Sequence, residues 1–140
     1  MIDVAIRAPS LDMAAEWEEL AGRAAPNVFM SPVALCAAHE GGFAHINVLC
    51  AYDVGANGRK LVGLWALREV NVLPLWPTLL SALPFDYAFV STPVIDPAHL
   101  DEVAAAFLAA VDAEPALPKV IRMGMLDGDA GAAAAVMKAL

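Results

Sequence analysis

Charge is what this sequence is shortest of. Only 17% of its 140 residues are charged, against about 25% in an ordinary globular chain. Eight Lys and Arg face sixteen Asp and Glu, for a formal net charge of −8. The basic residues are scattered. An acidic chain gains nothing from counterion release at phosphate backbones and is repelled by anionic lipid, so nucleic acid is not an expected partner. Cysteine is scarce as well. Cys36 and Cys50 are only two and make no C-x-x-C pair, which fits a reduced compartment better than a disulfide scaffold. No signal peptide is expected, because Met1–Ser10 carries Asp3 and Arg7 in place of an apolar core. The longest uncharged run, Val70–Phe85, holds Pro74, Pro77 and Pro84 and falls short of the ~20 residues of a membrane span. The expectation is a soluble, bacterial-type cytoplasmic protein.

Several chemical motifs are missing too. There is no G-x-S-x-G elbow. His39-Glu40 is not followed by a second His at the zinc-binding spacing, since that position is Phe43, and His45 and His99 add no ligand pair. No metal site is expected. Gly55-Ala56-Asn57-Gly58-Arg59-Lys60 lacks phosphate-loop spacing and joins two strand-like runs, so it reads as a hairpin turn.

What is present in excess is apolar surface: 60% of the residues, against about 45–50% ordinarily. Thirty are alanine, small helix-forming filler, and the remainder is largely Leu, Val, Ile, Trp and Phe. This excludes disorder, and the length is that of one domain, residues 1–140. It is also more apolar surface than a small monomer needs.

The pattern along the chain predicts nine elements. Asp3–Ala8 alternates like a strand. Ser10 caps a helix to about Ala24, with Met13, Trp17, Leu20, Ala21 and Ala24 on its apolar face and Glu19 and Arg23 spaced for an ion pair. Ser31-Pro32 starts a second helix that Gly41-Gly42 ends. His45–Asp53 and Arg59–Val70 form strands; the second is apolar on both faces, with Leu61, Trp65 and Leu67 on one and Val62, Leu64 and Ala66 on the other. Such a strand belongs to a sheet covered by helices on both sides. Phe85–Thr92 is the expected fourth strand. Asp96-Pro97 opens a third helix with Leu100, Val103, Phe107 and Val111 on one face. Lys119–Leu126 is a further strand, crossing over to run parallel, and Asp127 or Asp129 caps a last helix. The expected class is therefore α/β with a mixed sheet, in the order β-α-α-β-β-β-α-β-α. The chain stops at a helix with no closing strand, which reads as an unfinished unit.

This order, with the stretches Trp17-Glu18-Glu19-Leu20, Asn27-Val28-Phe29-Met30-Ser31-Pro32, Lys60–Arg68 and Ser91-Thr92-Pro93-Val94-Ile95-Asp96-Pro97, resembles the GNAT acyltransferase superfamily. The likeness is greatest to the N-terminal part of CelD-like and FemAB-like two-domain acetyltransferases. It implies transfer of an acyl group from a donor such as acetyl-CoA to a small-molecule amine, in cell-envelope or exopolysaccharide synthesis. It also implies a second GNAT-type domain, or a homodimer partner, beside this one. GNAT enzymes follow the fourth strand with an Arg/Gln-x-x-Gly-x-Gly/Ala turn that holds the donor's pyrophosphate. Here that place is Ser91–Pro97, with no glycine, two prolines and Asp96. No cofactor is therefore expected on this chain, and no catalytic residue is assigned.

Two further features remain. Asp86 and Tyr87 stand between Phe85 and Phe89: a carboxylate among aromatics serves as a base toward an amine, or is simply the polar start of a strand. The segment Val72–Phe85 is too apolar for an exposed loop. It is either the wall of an acceptor groove or a docking surface for another domain or a second copy, which would make the chain a non-enzymatic interaction module. Trp65, Trp76, Phe85, Asp86 and Tyr87 are the expected substrate-binding residues.

Overall fold

A computed structural model describes residues 1–56 and 58–140. Asn57, in the expected hairpin turn, lies outside the described residues. The strands are β1 (Ile2–Arg7), β2 (Ile46–Gly55), β3 (Gly58–Val70), β4 (Leu79–Ser81), β5 (Val94–Ile95) and β6 (Ile121–Arg122); the helices are α1 (Ala14–Ala21), α2 (Pro32–Glu40), α3 (Leu100–Ala113) and α4 (Gly131–Ala139). They build a mixed sheet in the order β1-β2-β3-β4-β6, with β5 also on β3. All pairings are antiparallel except β4 with β6.

The centre is β3, where every residue from Leu61 to Leu67 is buried. Both faces are covered, and side-chain alternation along β2 shows by what. Tyr52 donates to Glu16 Oε2 at 3.4 Å, so α1 lies on the face of Val48, Cys50 and Tyr52. Ala51 points the other way, beside Gly63, where α3 packs. A Cβ on Gly63 would lie 2.5 Å from Val103 Cγ1, 3.1 Å from Phe107 Cζ and 3.3 Å from Ala51 Cβ. Glycine is thus the residue that lets α3 approach the sheet. Val62 is a bulge: Ala51 pairs with Gly63 and Tyr52 with Leu61, leaving one extra residue on β3.

The free edge of β3 is shared among several partners. Asp96 N donates to the Val62 carbonyl at 2.8 Å. Gly63 and Leu64 pair with β5, and Arg68–Val70 pair with β4. Between them the Ala66 amide meets Met30 Sδ at 3.4 Å, a weak acceptor placed where no strand reaches.

Arg23 ties the two helical layers together. From the end of α1 its Nε donates to Asp96 Oδ2 at 2.8 Å, its Nη2 to the Leu61 carbonyl at 2.8 Å and its Nη1 to the Glu19 carbonyl at 2.8 Å. The expected Glu19–Arg23 ion pair is thereby replaced: the guanidinium finds a stronger, partly buried carboxylate across the fold. Burial pushes the Asp96 carboxyl up, but the Arg23 hydrogen bond, the Ala98 N–H and the charges of Arg23 and His99 outweigh it, holding the carboxyl below its usual range.

Three expected elements need correction. Phe85–Thr92 is not a strand. The fourth strand is Leu79–Ser81, within the six proline-free residues between Pro77 and Pro84, and the ladder resumes only at β5. Lys119–Leu126 contracts to Ile121–Arg122, because Lys119 instead caps α3, its Nζ donating to the carbonyls of Val111, Asp112 and Glu114 at 2.6, 2.9 and 2.6 Å. α4 begins after Ala130 with no side-chain cap; Asp127 Oδ1 accepts from Asp129 N inside its own turn instead. Ser10, Ser31 and Asp96 do cap where expected, accepting from Asp12, Ala34 and Ala98.

Two measurements test this architecture. Gly63→Ala should cost about 2–3 kcal/mol in urea unfolding through overpacking. In a Val103→Ala background, where Val103 Cγ1 is gone, the cost should fall by about 1 kcal/mol or more. Asp96→Asn should cost about 2–4 kcal/mol at pH 7 by leaving Arg23 unpaired. A carboxyl depressed in the fold stabilises above its unfolded value, 3.8, and loses that contribution as pH falls through the folded one. The gap between wild type and variant should therefore narrow below about pH 4; a gap constant from neutral pH to about pH 3 would reject the assignment.

Candidate functional site

The groove of most interest has one wall on α2. Ser31 Oγ accepts from Ala34 N at 3.3 Å and Pro32 sits in the first turn, which fixes where the helix starts. Leu35 and Cys36 turn inward, and Ala34, Ala37 and the buried Ala38 face the groove at helical spacing. Gly41 ends the helix. A Cβ there would fall 2.7 Å from Phe43 Cε2 and 2.9 Å from the Ala37 carbonyl, so glycine leaves room for the Phe43 ring over the helix end.

The opposite wall is the turn Phe85–Ala88, closed by Ala88 N donating to the Phe85 carbonyl at 3.1 Å. Arg68 Nη1, reaching from the end of β3, donates to Asp86 Oδ1 at 2.6 Å. Phe29 lies edge-on to both Phe85 and Phe89, with ring centroids 6.2 and 5.9 Å apart. Asn27 clamps the two walls together. Buried just before α2, its Nδ2 donates to the carbonyls of Val90 at 3.1 Å and Thr92 at 2.8 Å, while its Oδ1 accepts from Phe29 N at 3.1 Å.

Between the walls is an open groove of about 340 Å³, lined by Ala34, Ala37 and Ala38 of α2, by Phe43, and by Phe85, Asp86 and Tyr87. Its one charged group is Asp86. The structure thus brings Phe85, Asp86 and Tyr87 to one place. Trp65 is elsewhere and fully enclosed: its indole N–H donates to the Ser91 carbonyl at 3.1 Å and its ring packs on Phe107. As a substrate contact it is corrected to a core residue, because both faces of β3 are covered. Trp76 is exposed on the 71–78 loop and does not line the groove.

Sequence reasoning missed Phe43, Arg68 and the alanine wall. The signal for the last was legible: alanines at i, i+3 and i+4 leave room that larger residues would fill.

The lining contains one carboxylate, already paired with Arg68, and one phenol, with no nucleophile beside a base. Elsewhere, burial raises the Cys36 thiol and pushes the Cys50 thiol up to about 12, so neither is a thiolate at neutral pH. Burial likewise pushes Tyr52 up to about 12, and Arg59 covers its ring at 3.4 Å. His39 Nδ1 accepts from Ile46 N, and His45 and His99 lie near Glu69 and Glu102. Among the described residues no group of three His, Cys, Asp or Glu is placed to hold a metal ion, and no helix is long and apolar enough to cross a membrane.

The Ser91–Pro97 segment is occupied by its own contacts. The Ser91 hydroxyl donates to the Gly124 carbonyl and Ser91 N to the Met125 carbonyl. Thr92 Oγ1 accepts from Asp127 N at 2.7 Å, and the Asp96 carboxylate takes the Ala98 N–H and Arg23.

Compared with protein-family models, curated proteins and solved structures, the chain matches none.

Asn27→Ala removes the clamp and strands two carbonyls, and should cost about 2–4 kcal/mol in urea unfolding. The same variant should speed amide exchange at residues 88–92 ahead of the strand core; uniform acceleration across the chain would argue against a local clamp.

Proposed function

We propose that the chain is the acceptor-binding, non-catalytic part of a GNAT-type N-acyltransferase, and that its groove holds an amine with an apolar body. The observation that carries this reading is the pairing of one carboxylate, Asp86, with aromatic walls from Phe43, Phe85 and Tyr87. An ammonium gains from an aromatic face by about 0.5–1 kcal/mol at an exposed site. It gains a comparable amount from a solvent-accessible carboxylate. An anionic ligand would meet Asp86 unfavourably, since Arg68 reaches that carboxylate from behind and does not line the groove.

A donor such as acetyl-CoA does not fit the Ser91–Pro97 segment. The Asp96 carboxylate takes the Ala98 N–H there, where a pyrophosphate would need free donors. In this reading a second GNAT-type domain binds the donor and supplies the catalytic groups. The likeness in element order and local stretches, together with the two unpaired, buried cysteines, supports a reduced, cytoplasmic setting and work on an amine of the bacterial cell envelope or exopolysaccharide.

Calorimetry with 2-phenylethylamine, phenylacetate and acetyl-CoA tests it. The amine should bind with a dissociation constant on the order of 100 µM, about 5–6 kcal/mol, a modest efficiency for a small ligand. Asp86→Asn should weaken it about two- to fivefold. Phenylacetate should bind no better than to that variant, and acetyl-CoA should not bind this chain. Equal affinity for phenylacetate, or saturable acetyl-CoA binding, would overturn the proposal.

A further inference from the structure

The register of the strands gathers apolar residues at one end of the sheet. Ile46, at the start of β2, pairs with Arg68; Val70, at the end of β3, pairs with Leu79; and Leu80 pairs with Ile121 at the start of β6. Loops 41–45 and 71–78 and the residues just before β6 therefore emerge together, and the Arg68–Asp86 bond holds the Phe85–Ala88 turn beside them.

Phe43, Leu73, Leu75, Trp76, Tyr87 and Val120 are all exposed there. They expose roughly 800 Å² of accessible surface in total, so a contact that covers most of it reaches the size one partner contributes to a stable protein–protein interface.

The surface carries a projection and a hollow. The projection is the 71–78 loop, stiffened by Pro74 and Pro77 and closed by Trp76 N donating to the Leu73 carbonyl at 3.1 Å and Thr78 Oγ1 to Asn71 Oδ1 at 3.3 Å. At its tip Leu75 has φ 75°, a backbone region that large side chains avoid, and its side chain is fully exposed at 105%. The hollow is the Phe43–Tyr87 groove. A projection and a hollow on one surface are what an isologous contact needs, since residue i meets j and j meets i across a two-fold axis.

Charge favours the same occupant. Val70–Phe85 is uncharged, so the projection itself adds no charge to the contact when two chains of net charge −8 meet.

We propose that this end is a two-fold interface between two copies of the chain, the Leu75–Trp76 tip of each seated against the Phe43–Tyr87 rim of the other. The interface does not depend on amine binding, but it covers the groove, so a bound amine and the dimer exclude each other.

Sedimentation velocity of the whole chain, from about 1 to about 200 µM, tests this. A species of twice the 14.6 kDa chain mass should appear within that range. Leu75→Ser with Trp76→Ser should remain monomeric throughout, with unchanged circular dichroism because both side chains are exposed, and with an unfolding midpoint equal to wild type at about 1 µM, where both are monomers. The sedimentation runs contain no amine, so failure of amine binding leaves this test unaffected. A wild-type chain monomeric at the highest concentration, or a tip variant that still dimerises, would overturn the interface.

Discussion

The structure depends on one constraint: β3 must be covered on two faces and satisfied along two edges. Seven consecutive buried residues, Leu61–Leu67, leave no side of the strand for water, and a buried amide or carbonyl without a partner costs about 1–3 kcal/mol. One edge is answered simply by the ten-residue β2. The other draws on β4, β5, the Asp96 amide and the Met30 sulfur. The faces draw on α1 and α3. The Val62 bulge lies where these demands meet, with Arg23 taking the Leu61 carbonyl and Asp96 taking the Val62 carbonyl.

The groove follows from how that second edge is satisfied. Because β4 leaves the ladder after Ser81 and pairing resumes only at Val94, the intervening residues must travel outside the sheet. Pro84 and Pro93 bracket that excursion. Its backbone polar groups then need partners other than a neighbouring strand, and Asn27 and Phe29 meet it from the α2 side. Arg68 meets it from β3. The groove is the space left when this excursion is pinned against α2, whose outward alanines are too small to fill it.

The legible parts of this fold were those set by local chemistry. Ser31-Pro32 and Asp96-Pro97 announce helix starts because a side-chain oxygen and a missing N–H act within one turn. The two-faced apolar run of β3 announced a sheet covered on both sides, because period-two alternation with no polar face has only that solution. The fourth strand was misread because a three-residue strand carries too little periodicity to register, whereas Phe85–Thr92 has strand-forming residues and no ladder to join. Arg23 was misassigned because spacing identifies Glu19 and only the fold brings up Asp96. Lys119 read as strand because its acceptors, the last carbonyls of α3, are invisible to a pattern of side chains. In the site, Phe85, Asp86 and Tyr87 were legible as neighbours in sequence; Phe43 and the alanines were not, since they arrive from another element.

The apolar excess of the composition divides along the same line. Alanine fills helices, and the large side chains of β2, β3 and α3 fill one continuous core. A core of that kind needs none of the exposed Leu73, Leu75, Trp76, Phe43 or Tyr87. Isolated exposed apolar residues are ordinary on any protein. These differ in being collected at one end of the sheet, around a stiff loop and an open groove, where little charge has to be desolvated. Leaving them in water gains the fold nothing, and Leu75 adds a strained backbone to the cost. Binding accounts for them better than folding does, whether the occupant is an amine with an apolar body or the matching end of another chain. Both occupants require the same physical property of this surface, an apolar rim that the fold holds open around the groove.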